Sequence, residues 1–283
     1  MATKIVLPPA LRSNTGARER LIGFFDKYLH SPIEAPKPFQ QSASTACFRL
    51  VHLLSDRDVF VKIYSYKGLR RILRGLFRNT FCGASRARHE WTNLLRLARL
   101  GVPVPEPVAL IERRRLRTLR ACALATCWEP DSVTADHFLD RAPPAARLVV
   151  AREIARLAGV MHDAGYADGD LHLRNLLVIK PDCAGFGAAR PRVLKIDSPA
   201  GRLTRSRRRQ IHDLASLDVG ARRFLSRSER LRCWRHYCES RPSRHALRRK
   251  ERRWLRAVQA RADALEPKEG RRLDTVRALR CGR

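Results

Sequence analysis

Asp170 and Asn175 stand five positions apart in the segment 169–175, directly before an apolar run. Asp-x4-Asn is the spacing of a loop that serves phosphoryl transfer, in which the Asp takes the proton of the attacking hydroxyl group and the Asn holds a metal ion. Asp197 follows a second apolar run and offers another carboxylate. Because this spacing also arises by chance, it indicates phosphoryl transfer only when a strand lysine and a helix glutamate stand upstream.

Lys62 and Glu90 are the two upstream residues that such chemistry requires. Residues 59–64 alternate between the two faces of a predicted strand, and Lys62 lies between aromatic residues on one of them. A helix is predicted over residues 87–98, stopped by Gly101, with Glu90 beside its apolar stripe. An edge-strand lysine that faces solvent is the alternative for Lys62. The glutamate on the next helix favours an ion pair instead.

The remaining elements divide into a β-rich first part and a helical second part. We expect an α+β chain with two lobes, a small lobe over residues 1–129 and a larger helical lobe over residues 130–283. The connector between them contains Glu129. Further helices are predicted over 17–29, 145–161, 211–217, 229–238 and 244–265, and further strands over 47–54, 108–111, 119–125, 176–179 and 193–196.

Positive charge dominates the composition. The chain of 283 residues carries 58 Lys and Arg against 27 Asp and Glu, a formal net charge of +31. Residues 202–283 alone contain 26 of the cations and 9 of the anions. Such an excess favours a polyanionic partner: an anionic membrane surface, a phosphorylated substrate or nucleic acid. A GC-rich genome, which enriches arginine without functional demand, is an equally weighted explanation.

Compartment and membrane contact can be predicted from three sequence features. The eight cysteines are dispersed without a C-x-x-C pair, which is typical of reduced thiols. No signal region is evident, and no run approaches the ~20 apolar residues that span a bilayer. We therefore expect a cytoplasmic protein. The basic amphipathic segment 67–78, with Arg70, Arg71 and Arg74, either contacts an anionic membrane or packs on the N-terminal sheet.

In chain order, these features resemble the lipopolysaccharide core kinases of bacteria, the Kdo/WaaP family, and through them the protein-kinase-like fold. A strand lysine, a helix glutamate, the Asp-x4-Asn loop and a second Asp follow one another as they do there. The resemblance spans roughly residues 40–240. The matching segments are 59–64, 87–91, 101–105, 169–175, 194–197, 212–217 and 222–227.

The resemblance implies transfer of the ATP γ-phosphate to a sugar hydroxyl, of Kdo or heptose, in the lipopolysaccharide inner core. Such a kinase works at the cytoplasmic face of the inner membrane, and we expect a peripheral monomer with an anionic glycolipid as its substrate. By the same resemblance Lys62 binds phosphates and Glu90 orients it. Asp170 acts as base or orienter, and Asn175 and Asp197 hold Mg²⁺.

The sequence departs from the kinase pattern at the phosphate-covering loop. No glycine-rich loop precedes Lys62, and the small residues of segment 41–46 occupy that place. Ser44 and Thr45 are therefore the candidate contacts to the nucleotide phosphates, because their backbone donors can still cover an anion. Glu129 in the connector is the remaining candidate nucleotide contact.

A second departure concerns the catalytic loop itself. Asp168 stands where many kinases have a histidine, and Asp197 is followed by Ser-Pro instead of Phe-Gly. Two carboxylates as close as Asp168 and Asp170 raise the pKa of one of them unless a cation or donor intervenes. His172 and Arg174 are the candidates for that role.

Three other functions are compatible with parts of the sequence. A small-molecule phosphotransferase of the aminoglycoside or choline kinase type has a similar loop, but its cationic substrates need an acidic pocket. A non-catalytic kinase-like binding protein fits the degenerate phosphate loop, although the full set of catalytic residue types argues against it. Nucleic-acid binding is disfavoured, because no aromatic stacking motif accompanies the basic stretch.

Overall fold

The computed structural model describes most of the chain: residues 2–30, 38, 40–41, 45–54, 57–65, 83–115, 118–179, 191–241 and 251–280. Ser44 and the basic segment 67–78 lie outside the described residues. The chain forms two compact units. The first comprises Met1–Arg96 with Pro105–Pro130, and the second comprises Leu97–Val104 with Asp131–Arg283.

The first unit is built on an antiparallel sheet. Its strands run in the order β1-β5-β6-β4-β3-β2. They are β1 (Ala2–Val6), β2 (Gln40–Gln41), β3 (Thr45–Leu54), β4 (Arg57–Ser65), β5 (Pro107–Arg115) and β6 (Thr118–Cys127). Helices α1 (Thr15–His30) and α2 (Arg86–Arg99) complete the unit, the last turn of α2 passing into the second unit.

Period-two alternation in β4 separates the core of the first unit from the lysine. Val59, Val61 and Ile63 are buried, and they form one apolar cluster with Phe25 of α1. Because successive side chains of a strand point to opposite faces, Lys62 lies on the other side of the sheet. The strand thus buries its apolar face and presents its lysine away from that cluster.

A glycine ends the helix that carries Glu90. Gly101 has a φ of +72°, a left-handed conformation that glycine adopts without a steric penalty. The backbone N–H of Val102 donates to the carbonyl oxygen of Leu97 at 3.0 Å, which satisfies a terminal carbonyl group. The predicted stop of this helix at Gly101 is confirmed.

The second unit is mostly helical and holds two small sheets. The α-helices that the structure describes in it are α3 (Ala135–Arg141), α4 (Pro144–Asp163), α5 (Arg207–Ala221), α6 (Arg227–Glu239) and α7 (Glu251–Arg280). One sheet has the strand order β10-β9-β7, and the other pairs β11 with β8. These strands are β7 (Ser132–Thr134), β8 (Tyr166–Ala167), β9 (Leu176–Ile179), β10 (Arg192–Lys195) and β11 (Arg202–Leu203).

Aromatic packing holds the helices of the second unit together. Helix α4 packs on α6, and α5 packs on α7. The rings of Trp234 and Tyr237 on α6 lie 6.3 Å and 6.1 Å from Trp254 on α7. Edge-to-face contacts of this kind stabilise a core beyond the area they bury. Within the described residues, no helix is long and apolar enough to cross a membrane.

Candidate active site

In the first unit, Lys62 and Glu90 form the ion pair that the sequence predicts. The ammonium nitrogen of Lys62 lies 3.6 Å from Oε1 of Glu90. The hydroxyl group of Tyr64 donates to Oε2 of the same carboxylate at 2.8 Å. Glu90 is thereby held from two sides, and its carboxylate in turn fixes the end of the lysine side chain.

The surroundings of Lys62 combine aromatic contact with partial exposure. Its ammonium group stands 5.5 Å from the centre of the Tyr64 ring, a cation–π distance. The side chain of Lys62 is 12% exposed, whereas that of Glu90 is only 5% exposed. A lysine that is paired yet partly exposed is suited to bind an anionic ligand, because its ammonium group carries three N–H donors and a full positive charge.

The structure also describes Thr45 and Glu129, two other predicted nucleotide contacts of the first unit. Thr45 is the first residue of β3 and pairs across the sheet with Tyr64, two positions beyond Lys62 on β4. Glu129 follows the end of β6 and is half-buried. The roles of Thr45, Glu129 and Ser44 in nucleotide binding stay predictions.

In the second unit, the predicted catalytic loop folds around Asp170. Gly169 before it has a φ of +75°, and Leu173–Asn175 after it form a short 3-10 helix. The side-chain amide of Asn175 donates to the backbone oxygen of Asp170 at 2.8 Å and to its Oδ2 at 3.1 Å. The two residues are therefore in direct contact, and Asn175 fixes the orientation of the Asp170 carboxylate.

The neighbours of Asp170 favour its ionised form. Nε2 of His172 lies 3.2 Å, and Nη2 of Arg174 3.8 Å, from Oδ1 of Asp170. Burial acts to raise the pKa of Asp170, but the hydrogen bond and charge of His172, with the charges of Arg174 and Lys195, outweigh it and lower the pKa. His172 and Arg174, the two candidates named from the sequence, both lie beside the Asp170 carboxylate. Asp170 is an anion at neutral pH.

Backbone pairing brings Asp197 to the loop. The N–H of Ile196 donates to the carbonyl oxygen of Asn175 at 3.0 Å, so that Asp197 follows directly after a contact with the loop. Asp197 itself has a φ of +52°, which is unusual for a residue other than glycine. Such a conformation persists only where the surrounding structure holds it, and it frequently marks a functional position.

A buried lysine holds the Asp197 segment, and the sequence reasoning missed it. Lys195 is fully buried, and its ammonium group donates to the carbonyl oxygens of Ile196 and, at 3.2 Å, of Asp197. It also lies 3.2 Å from Oδ2 of Asp168, which is equally buried and accepts a hydrogen bond from Ser198. Asp168 and Lys195 thus link the loop to the strand that precedes Asp197.

Burial dominates the electrostatics of Asp168. Its removal from water raises its pKa, although Lys195 and the hydrogen bond from Ser198 oppose the rise. The charge of Asp213 acts in the same direction as burial and raises the pKa of Asp168. The two aspartates of the loop therefore have different surroundings: Asp170 lies beside His172 and Arg174, while Asp168 lies in the interior beside Lys195.

Asp213 on α5 anchors the start of the loop. Its two carboxylate oxygens accept the backbone N–H groups of Asp168 and Gly169, each at 2.8 Å. His162 contacts the same carboxylate at 3.3 Å and the hydroxyl group of Tyr237 at 3.0 Å. The sequence offers little signal for this anchor, because its partner lies more than forty residues away in the chain. The apolar residues around Asp213 on a predicted helix are the one available hint.

Asn175 and Asp197 fit a hard divalent cation by their chemistry. An amide oxygen and a carboxylate are the ligand types that Mg²⁺ takes, usually with phosphate oxygens and water completing the shell. The Nδ2 atom of Asn175 is engaged by Asp170, so its amide oxygen is the atom left for a metal. In the part of the chain that the structure describes, no group of three or more His, Cys, Asp or Glu side chains is arranged to hold a metal alone.

Comparison with known proteins decides the family. The model of the lipopolysaccharide kinase (Kdo/WaaP) family matches residues 45–237. This chain belongs to that family. The match begins at the first residue of β3 and ends within α6, so it includes every described site residue. No curated protein matches the chain.

A solved structure supports the same fold. The structure described as WaaP in complex with acyl carrier protein has 24% sequence identity to this chain and a TM-score of 0.63, covering 93% of this chain and 99% of that one. The α+β, bilobal protein-kinase-like fold predicted from the sequence is confirmed. By its family, the protein is an ATP-dependent kinase that acts on a sugar of the lipopolysaccharide core.

Proposed function

We propose that this lipopolysaccharide kinase transfers the γ-phosphate of ATP to a hydroxyl group of Kdo or heptose, with Asp170 at the reacting oxygen and Mg²⁺ as the metal. The observation that carries the proposal is the contact of Asn175 with both Asp170 and the Ile196–Asp197 segment. Hydrogen bonds of Asn175 with Asp170 and with the backbone of Ile196 support a site in which Asp170 accepts the proton and Asn175 and the adjacent Asp197 hold the metal.

Asp170 orients the acceptor hydroxyl group and takes its proton. A bond forms between the sugar oxygen and the γ-phosphorus, the bond from that phosphorus to the bridging oxygen breaks, and ADP leaves. Because the pKa of Asp170 is lowered by His172 and Arg174, the carboxylate is ready to accept at neutral pH. A positioned base of this kind accelerates a reaction by about 10²–10⁴-fold.

Charge neutralisation comes from Lys62 and from the metal. Lys62, held by Glu90, binds the phosphates of ATP as a point charge. When bound, Mg²⁺ neutralises phosphate oxygens, and the amide oxygen of Asn175 and the carboxylate of Asp197 hold it. Phosphoryl transfer needs chiefly positioning and electrostatic stabilisation, so these side chains suffice without a covalent nucleophile.

The surroundings of the reaction follow from the charge of the chain. An acceptor that carries acidic groups, an anionic glycolipid, matches a protein of formal charge +31. We place the kinase at the cytoplasmic face of the inner membrane, as a peripheral monomer. Segment 67–78 is the candidate for membrane contact, and its basic residues are expected to make sedimentation with anionic vesicles sensitive to salt.

Transfer of labelled γ-phosphate from Mg²⁺-ATP to dephosphorylated lipopolysaccharide core tests the proposal. We expect label in the glycan, with fragmentation of the product placing the phosphate on Kdo or on heptose. Choline and an aminoglycoside serve as competing acceptors and should remain unlabelled. Label in either of these instead of the glycan contradicts the proposal, as does an absence of transfer to all acceptors.

A further inference from the structure

Five arginines line the stretch that leads from the Asp197 segment into α5. Between Asp197 and Asp213 the sequence contains no acidic residue. We call residues 202–209 the arginine segment. Its arginines are Arg202, Arg205, Arg207, Arg208 and Arg209.

The fold places the arginine segment beside residues 165–169, which precede Asp170. Strand β11 pairs antiparallel with β8, with Arg202 opposite Ala167, and the N–H of Thr204 donates to the carbonyl oxygen of Gly165 at 2.6 Å. At the other end, a Cβ atom added to Gly169 would lie 3.6 Å from Nη1 of Arg209. The segment therefore runs beside the residues immediately before Asp170.

Folding alone does not explain this concentration of charge. All five arginines except Arg209 are exposed, and none of the five forms an ion pair with a carboxylate of the described residues. Among the aromatic rings that the structure describes, one lies over an arginine of the segment: Trp254, 5.5 Å from Arg207. Arg207, Arg208 and Arg209 occupy the first turn of α5, where no acidic residue balances them and positive charge is unfavourable.

The next helix shows the ordinary arrangement for comparison. Helix α6 begins with a capping box, in which Ser226 and Glu229 bond reciprocally, and Glu229 supplies an acidic residue to the first turn. Helix α5 has neither the side-chain cap nor the acid at its start. Helix α5, beside the catalytic loop, thus lacks the stabilising N-terminal residues that α6 has. Such a local departure points to a functional reason for the arginines at the start of α5.

We propose that the arginine segment binds the acidic groups of the glycan acceptor, a sugar carboxylate or phosphate, and so presents a hydroxyl group to Asp170. This inference rests on the proposed function. Arginine suits the task because its planar guanidinium group donates two parallel hydrogen bonds to a carboxylate or phosphate. Arg209 lies nearest to the loop, and Arg202, Arg205 and Arg208 extend the binding surface outward along the chain.

A triple variant with a matched control tests the proposal. Arg202→Gln/Arg205→Gln/Arg208→Gln removes three exposed charges from the segment. Its control removes the same charge from exposed positions of α6. The control substitutions are Arg227→Gln, Arg232→Gln and Arg235→Gln. The acceptor is deacylated lipopolysaccharide core oligosaccharide, which cannot form a membrane.

For the segment variant, we expect the KM for the oligosaccharide to rise about tenfold or more, since charge-assisted contacts are lost. The KM for ATP and the thermal midpoint should stay near their original values. The control variant should behave as the unmodified protein. An equal rise in both variants indicates a general field effect of net charge and overturns the proposal.

Acceptors with blocked acids sharpen the result. Oligosaccharide whose carboxyl groups are converted to amides should bind the unmodified protein more weakly. With this acceptor, the KM values of the unmodified protein and the segment variant should differ far less. A rise in the KM for ATP alone would assign the arginines to nucleotide phosphates. A defect only with intact lipopolysaccharide in vesicles would assign them to lipid. Either outcome overturns the proposal.

Failure of the proposed function is distinguishable from failure of this inference. If the unmodified protein transfers no phosphate to the oligosaccharide, calorimetric titration with the same oligosaccharide still measures binding directly. Weaker binding to the segment variant than to the control supports the arginine site even then. Equal binding to both variants rejects the site, whatever the catalytic result.

Discussion

Lys62 and Lys195 are each paired with a carboxylate, but their surroundings differ. In the first unit, Lys62 lies 3.6 Å from Glu90 and remains partly exposed beside an aromatic ring. In the second unit, Lys195 lies 3.2 Å from Asp168 with both side chains fully buried. The ammonium group of Lys195 also donates to two backbone carbonyl groups. The side chain of Lys62, in contrast, remains partly exposed to solvent.

From this difference we infer a ligand-binding role for Lys62 and a positioning role for Lys195. A fully buried ammonium group cannot reach a substrate, but it can fix the backbone of Asp197, whose left-handed conformation needs support. An ammonium group held at its inner side by a carboxylate can meet a phosphate at its outer side. We therefore expect substitution of Lys195 to act on stability and substitution of Lys62 to act on turnover.

The largest expected effect comes from Lys195→Met. The change leaves the buried carboxylate of Asp168 without its cation, which typically destabilises a protein by about 3–5 kcal/mol. Urea unfolding followed by fluorescence measures the loss. Lys195→Met/Asp168→Asn, which removes the uncompensated charge as well, should recover part of it. A single variant that unfolds at the original midpoint would contradict a role in positioning.

Next in size is the effect of Lys62→Met on catalysis. The side chain keeps its length but loses the charge that meets the phosphates, so kcat/KM should fall about 10²–10³-fold, as for a removed transition-state donor. The urea midpoint should fall less than in Lys195→Met, since Lys62 is partly exposed and Glu90 keeps its hydrogen bond from Tyr64. Turnover is measured with core oligosaccharide at saturating ATP. Full activity combined with a large drop in the urea midpoint would contradict the assignment of Lys62 to turnover.

A smaller effect is expected from Glu90→Gln. The glutamine retains an acceptor for the Tyr64 hydroxyl group and loses only the charge opposite Lys62. We expect the KM for ATP to rise about tenfold, the size of one charge-assisted contact. Tyr64→Phe is the matched control, because it removes the second support of the carboxylate and keeps its charge. A larger rise in the KM for ATP in Tyr64→Phe than in Glu90→Gln would mean that the hydroxyl group, and not the charge, orients Lys62.

The smallest expected effect is on the pH profile. Because the pKa of Asp170 lies below its ordinary value of about 3.9, the base stays deprotonated throughout the range from pH 5 to 8. Asp170 then contributes no acidic limb to log kcat/KM in that range. His172→Gln removes the charge that lowers this pKa and should move the acidic limb upward. A limb near pH 6 in the unmodified protein would contradict the assignment of Asp170 as the base.

Sequence periodicity sufficed for one half of the site and failed for the other. The Lys62–Glu90 contact follows from a strand of period two and a helix stripe, both of which are local patterns. The Asp168–Lys195 pair and the Asp213 anchor depend on burial between segments distant in the chain, which local patterns do not encode. A lysine inside the apolar run before Asp197 was the available signal, because an inward charge needs a partner.

The C-terminal helix shows a related limit. Residues 244–265 are the predicted extent of the last helix, yet α7 runs through Pro267 as far as Arg280. Proline normally ends a helix because it lacks an N–H group and its ring clashes with the preceding turn. Here the backbone continues past it. The predicted end of this helix at residue 265 is therefore wrong.

Asp170→Asn tests the central claim most directly, namely that this carboxylate serves the transfer of phosphate to a core sugar. The amide keeps the shape of the side chain and its neighbours, and it cannot take a proton. We expect single-turnover transfer from ATP to the core oligosaccharide to fall about 10²–10⁴-fold, while fluorescence titration shows unchanged nucleotide binding. Transfer within about twofold of the original rate would contradict the claim.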